Sequence, residues 1–484
     1  MAKSQVNSRF QGIEMVSKKK IVLAGATGFI GQELGIALVR EGFEVSVLTR
    51  TPKKYEGRLA FPCKLIAFEK TQMSAAEEAI DGAYAVINLV GESIESGTWD
   101  LVGKRSVYAS RLEPIALLVA AVKKAKLPPK LFLQASATGY YGKTDELCTE
   151  EHPPAPESES FLAKVCIDLE AEGQRVEAYG TRFNAMRIGV VLGHGRALEK
   201  INQLYASGVG SRFLGTEGYF PWVAIDDVVA AFVFMAQQAE AKQITGPVNV
   251  VGPHTATLSH LHTAMTKVHG MQLAPPAPAW IVRKLARKQA VLLFDSARVS
   301  PKKLLASGFK FSFNTLEKSI ESLFPSGYKG QFRLVKKQFV RADMNEIWKF
   351  FSMPQNLEAI TPPWLRFKIK NISTEVMGNG TTIHYDLRLN GIPITWKSVI
   401  SEYVEKKQFK DEQLVGPYHI WEHTHKFETL GDGVLIIDDI IYSLPLGKAG
   451  TMVASWYVQK DVGQIFKYRA DVVAKTLNGA ETTH

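Results

Sequence analysis

The segment Ile21-Val-Leu-Ala-Gly25-Ala-Thr-Gly28-Phe-Ile-Gly31 constrains this chain more than any other. A short apolar run, too brief for a helix, feeds three glycines spaced GxxGxxG, and helical periodicity starts near Phe29. Gly25 permits a tight turn, Gly28 lets the backbone approach a diphosphate, and Gly31 lets helix and strand pack closely. The helix N-terminus then faces the phosphate charge with its amide groups. Such a strand-turn-helix makes sense only inside a βαβ unit, so the strand needs parallel neighbours.

Those neighbours are legible. Ile21 to Ala24, Val45 to Leu48, Lys64 to Ala67, Ala85 to Leu89, Leu131 to Ala135, Asn184 to Arg187 and Val248 to Val251 read as buried strands. Gln32 to Glu41, Arg105 to Lys124 and Phe161 to Tyr179 read as helices between them. The alternation predicts an α/β fold with a doubly wound parallel sheet over residues 19–270. At the end of the second strand stand Thr49 and Arg50, with Lys53 and Lys54 close behind, where an acidic residue would bind ribose hydroxyls. An arginine fork suits a 2′-phosphate, which points to NADP in preference to NAD.

Composition narrows the alternatives. At 484 residues, with 46% hydrophobic and 22% charged side chains, the chain has material for roughly three folded domains. No apolar run reaches 18 residues, so the sequence predicts no transmembrane segment. Cys63, Cys148 and Cys166 are far apart, without zinc spacing, and favour a reducing, cytoplasmic setting. The net charge of +10 is scattered, with no aromatic-interleaved basic patch, which argues against a nucleic-acid partner. Residues 1–18 read as a flexible polar leader lacking the apolar core of a signal peptide, and Met15 offers a second start. Nothing in the sequence sets the oligomeric state.

The βαβ pattern stops near residue 271, at the proline-rich stretch Met271 to Trp280, followed by a basic helix over Ile281 to Leu293. Residues 271–325 read as a short extension of the first module. A further break at Phe324 to Gly330 precedes a different pattern. Phe332 to Val340 alternates with period two, Asn345 to Phe351 is helical, and four long alternating strands follow: Thr381 to Leu389, Thr395 to Glu405, His419 to Thr429 and Gly433 to Tyr442. Val462 to Leu477 reads as a closing amphipathic helix, which makes 331–478 a separate α+β domain.

The glycine pattern, Ala85-Val-Ile-Asn-Leu-Val-Gly91 and Ser136-Ala-Thr-Gly-Tyr-Tyr-Gly142 resemble the Rossmann-type extended short-chain dehydrogenase/reductases, which include nucleotide-sugar epimerases. Trp99, Ser110-Arg111, Phe161 to Cys166, Arg187 to Gly193, Trp222 to Asp227 and Pro301 to Phe311 are similar to the atypical epimerase-family proteins with their short C-terminal domain. The resemblance implies cofactor contacts by Gly25, Thr27, Gly28, Phe29, Ile30, Gly31, Arg50, Leu89, Gly91 and Arg111. It also implies a tyrosine-lysine acid/base couple and a serine or threonine that orients the substrate. Aligned on Glu170, the tyrosine position holds Leu162 and the lysine position Cys166; aligned on Gly142, the serine position falls on Ala137. A phenol near pKa 10 needs a cationic neighbour to work. Three readings stay open: a relocated donor at Tyr140 or Tyr141 with Ser136 beside it, a cofactor-binding sensor without turnover, and Cys166 as a nucleophile. Arg187 could clamp a substrate anion or pair with an acid, Asp227 suits a helix N-cap, and His194 reads as a loop residue.

Residues 331–478 resemble START-like and Bet v 1-like (SRPBCC) helix-grip domains, on Asn345 to Pro354, Gly416 to Phe427 and Tyr442 to Gly447. That resemblance implies an apolar ligand between sheet and helix. His419, His423 and His425 fall on one strand face, an arrangement zinc accepts. The commoner reading gives them carboxylate partners, Glu422, Asp438 or Asp439, and no metal is expected.

Overall fold

The computed structural model describes residues 18–92, 100–195, 198–199, 201–202, 205, 218–240, 244–270, 297–324, 331–389, 391–444 and 447–477. The leader, Met15, Trp99, the proline-rich stretch and the basic helix expected at 281–293 lie outside the described residues. The first sheet comprises β1 (Lys20–Ala24), β2 (Glu44–Thr49), β3 (Lys64–Ala67), β4 (Ala85–Asn88), β5 (Leu131–Ala137), β7 (Arg182–Ile188) and β11 (Val248–Val250). All pair in parallel, in the order β11-β7-β5-β4-β1-β2-β3. Strand order reverses between β1 and β4, so the loops leaving those two strands diverge and open a crevice at their carboxyl ends.

Helices cover both faces, which is why the strands read as unbroken apolar runs. Phe29–Arg40 and Ile225–Gln237 pack on one side. Ser74–Ile80, Leu101–Lys124 and Phe161–Gln174 pack on the other. Short pairs rim the carboxyl edge: β6 (Thr144–Cys148) with β13 (Ala297–Val299), β8 (Val190–Leu192) with β10 (Trp222–Ala224), and β9 (Tyr219–Phe220) with β12 (Ala256–Thr257). The expected N-cap at Asp227 is not one. The helix starts at Ile225, and the fully buried Asp227 carboxylate instead accepts the Ser312 amide at 2.6 Å, pinning the extension to the sheet domain.

A second, wholly antiparallel sheet follows: β14 (Phe332–Val340), β15 (Lys368–Ile372), β16 (Thr382–Leu389), β17 (Ile392–Val404), β18 (Gln408–Val415), β19 (Ile420–Leu430) and β20 (Gly433–Ser443), ordered β14-β20-β19-β18-β17-β16-β15. The helix Met344–Phe351 and the end of the long helix Gly447–Leu477 pack on one face through Ile347, Trp348, Phe351, Val473 and Leu477. The other face docks on the first module. Phe339, Leu430 and Leu435 join the same apolar cluster as Leu34 and Ile36, while Gly431 meets Val39 and Pro62. Lys337 pairs with Glu33 at 2.6 Å and Arg40 with Glu428 across the same contact. Among the described residues, no helix is long and apolar enough to cross a membrane.

Candidate functional site

The crevice between β1 and β4 is built from backbone. Gly25 adopts φ +86°, and a Cβ there would lie 2.7 Å from the Leu89 carbonyl carbon, so this turn accepts only glycine without strain. The Gly28 amide donates to the Gly25 carbonyl at 3.1 Å, closing the turn. Gly28 occupies the N-cap of Phe29–Arg40 and brings no capping side chain. The first-turn amides therefore face the crevice without a side-chain cap, in the arrangement that receives phosphate oxygens. A Cβ at Gly31 would collide with the Gly25 carbonyl, which is the close helix-strand approach expected from its position. Thr27 is exposed, and Phe29 and Ile30 are half-buried in the first turn.

Thr49 closes β2, and Arg50 follows it, exposed. Leu89 lies beside Gly25, and Gly91 beyond it approaches Arg111, whose guanidinium carbon is 3.1 Å from a Cβ placed there. Arg111 donates to the Glu92 carbonyl at 2.8 Å and the Val107 carbonyl at 3.0 Å, and burial lowers its pKa. Its first role is to hold the loop after β4 in place. The structure thus gathers the cofactor candidates at one sheet edge.

The catalytic candidates sit at the end of β5, in a network the sequence reading missed. Arg187, 3% exposed, pairs with Glu170 at 2.7 Å. Burial alone would lower its pKa, but the Glu170 pair raises it on balance. Its guanidinium stacks 3.4 Å from the centre of the Tyr140 ring and donates to the Tyr141 hydroxyl at 3.0 Å. Ser136 donates to Glu170 at 2.6 Å. The Tyr141 hydroxyl donates to Asn249 Oδ1 at 2.7 Å, and burial pushes its pKa up to about 12 despite the arginine. Tyr141 is 3% exposed and its hydroxyl is held between Arg187 and Asn249, the position of a structural hub. Tyr140 is half-buried, and its pKa is also raised, by burial first.

Arg187 is therefore spoken for by Glu170 and the two tyrosines, and does not stand free as a substrate clamp. The isolated signal for this network was a charged residue at the end of a buried strand. Leu162 packs against Gly139, and Cys166 donates weakly to the Ala137 carbonyl at 3.6 Å. Burial pushes the Cys166 thiol up to about 11, which disfavours the thiolate, its reactive form. Tyr140 packs against Val251, Ala297 and Val299, which line a small recess that also takes in Tyr219, His254 and Arg298.

In the second sheet, His419 is exposed in the turn before β19, so the three histidines do not converge. His423 and His425 do. Both reach Asp438 Oδ1, at 3.0 and 2.8 Å, the carboxylate partner expected on an adjoining strand. Arg469 approaches the same oxygen at 3.4 Å and already supplies the cation. Asp439 turns the other way and pairs with Arg333 at 2.7 Å.

Residues 21–252 match the NAD dependent epimerase/dehydratase family, and residues 277–323 match a domain of unknown function, DUF1731. The epimerase family protein YfhF of Bacillus subtilis (strain 168) is 29% identical over 63% of this chain and 97% of its own length. ML0860 of Mycobacterium leprae, also an epimerase family protein, is 29% identical over 63% of this chain and 95% of its own. The crystal structure of human epimerase family protein SDR39U1 (isoform 2) with NADPH is similar with a TM-score of 0.54 and 27% identity, covering 63% of this chain and 98% of that one. The first parallel-sheet module of this chain is accordingly an epimerase-family domain of the extended short-chain dehydrogenase/reductase kind, followed by DUF1731.

Proposed function

We propose that this protein binds NADP(H) in the crevice between β1 and β4 and uses it as an oxidoreductase or epimerase, with a START-like ligand-binding domain fused behind it. The observation that carries the reading is the uncapped glycine turn beside Leu89, a cradle that any added Cβ would fill. Gly25, Thr27, Gly28, Phe29, Ile30 and Gly31 would receive the diphosphate, Thr49 and Arg50 the adenosine ribose and its 2′-phosphate, and Leu89, Gly91 and Arg111 the far half of the cofactor. The human relative crystallised with NADPH supports that choice of nucleotide. The cofactor supplies hydride chemistry when bound.

What this chain offers beside it is unorthodox. Leu162 and Cys166 stand where the usual tyrosine and lysine would, leaving Tyr140, the half-buried phenol packed against the wall of the recess, with Ser136 and the Glu170–Arg187 pair behind it. Arg187, stacked on the ring, favours the phenolate and offsets part of the effect of burial. The raised pKa of Tyr140 also supports a second reading, in which the domain binds NADP(H) as a sensor without turnover. Oxidation of NADPH on addition of a panel of carbonyl compounds separates the two. Turnover that falls at least tenfold in Tyr140→Phe, while NADPH affinity is kept, supports the enzyme. No oxidation with any compound, at unchanged affinity, supports the sensor.

The second sheet supports an apolar-ligand role through the aromatic side chains it turns toward its helices: Tyr385, Trp396, Phe409, Trp421 and Phe427. We place its ligand class nearer to ring systems than to plain acyl chains on that basis.

A further inference from the structure

The segment matched to DUF1731 contributes one strand to the rim of the first module. That strand, β13, pairs in parallel with β6, and it buries Ala297 and Val299 on either side of Arg298. Arg298 lines the recess against whose wall Tyr140 packs. Its guanidinium carbon stands 5.5 Å from the centre of the Tyr219 ring, whose face helps to hold the cation in place. Its Nε is buried and has no hydrogen-bond partner among the described residues. None of the residues that line the recess is acidic. Two other N–H side chains of the lining are answered. The Trp222 indole donates to the His254 carbonyl at 3.1 Å, and His254 Nδ1, 2.8 Å from the Asn314 carbonyl, must donate there because a carbonyl oxygen only accepts. Arg298 is thus a cation in a lining that offers it no acid.

A guanidinium held this way has a defined complement. Its planar fork matches the two oxygens of a carboxylate or phosphate through parallel N–H···O bonds. The wall around it is largely apolar, from Phe220, Val251 and Ala256, so such a pair is screened less than it would be on an open surface. The recess is small and takes an end group, with the rest of a ligand left outside it. Tyr140 packs on residues that line the recess, which puts the phenol and the arginine in one neighbourhood. We propose that Arg298 anchors an oxyanion, a carboxylate or a phosphate, at the end of the substrate. This rests on the reading of the chain as an NADP(H)-dependent oxidoreductase or epimerase. It gives that site a substrate class, and it gives the DUF1731 segment the task of selecting for charge.

The test compares ketones that differ in charge, by saturation-transfer NMR titration of the full chain with NADP+ present and no hydride to transfer. Levulinate is set against methyl levulinate, and dihydroxyacetone phosphate against dihydroxyacetone. The expected result is that the charged member of at least one pair binds about tenfold tighter, the worth of a charge-assisted pair of hydrogen bonds; the pair that shows it identifies the oxyanion. Arg298→Gln should cut that preference at least fivefold, with the affinities for the neutral ketone and for NADP+ unchanged. Arg298→Lys, which keeps the charge and loses the fork, should retain part of it. Equal binding of charged and neutral ketones, a preference that survives in both variants, or binding of none of the four compounds overturns the proposal. Absence of NADP+ binding to the unmodified chain, read in the same samples, sinks the cofactor reading instead.

Discussion

Arg187 shows how one side chain can settle the roles of its neighbours. Its charge is held by Glu170, its plane lies on Tyr140, and its N–H groups fix Tyr141. Tyr141→Phe should therefore cost stability, by about 1–2 kcal/mol for the buried bonds lost, with NADPH affinity intact. A urea midpoint unchanged by that variant would contradict the hub role. Arg50 is the opposite kind of residue, exposed at the end of β2. Arg50→Ala should weaken NADPH binding about tenfold or more and leave NADH binding alone; an unchanged ratio would remove the basis for the cofactor preference. His194 links charge to stability. Burial, with Arg333 nearby, pushes its pKa down to about 4 from 6.5. The folded chain keeps this ring neutral, so the stability it contributes is complete above pH 6.5 and is lost as pH falls toward 4. Urea midpoints between those values should slope less steeply in His194→Gln than in the unmodified chain.

At the scale of elements, the strands of the first sheet were legible because burial on both faces turns each into a short apolar run with nothing else to be. Ile21–Ala24 and Ala85–Asn88 are fully buried strands in the places their composition predicts. The turn between β1 and its helix was equally plain, since only glycine tolerates φ +86° against the Leu89 backbone. Gly25→Ala should destabilise the fold by roughly 1–3 kcal/mol and abolish NADPH binding together; retention of full affinity would sink the cradle. β15 and β18 escaped notice for a physical reason. β18 reads Gln408-Phe-Lys-Asp-Glu-Gln-Leu-Val415, and its inward positions include Asp411. A strand that carries part of a buried polar band has no clean hydrophobic alternation to read. The network around Arg187 was hidden likewise, since Glu170, Arg187 and Tyr141 come from three separate elements and only the fold brings them into contact.

The whole molecule departs most from what the sequence suggests. Composition breaks at residues 325–330 imply two domains joined by a linker, yet Phe339, Leu430 and Leu435 share one apolar cluster with the helix that begins at the glycine turn. Nothing in a single strand's pattern reveals that its solvent-side face has a partner so far along the chain. A shared core predicts shared melting: scanning calorimetry of the full chain should give one main transition, and two well-separated ones would count against the docking.

Glu33 lies one turn past the site where a diphosphate would settle, and the cation that answers it, Lys337, belongs to the other half of the protein. The helix that would greet a nucleotide is thus the same rod on which the rear module leans. Severed at residue 325 and mixed again, the two pieces should find each other in solution, because each would carry an exposed oily patch shaped by its missing counterpart.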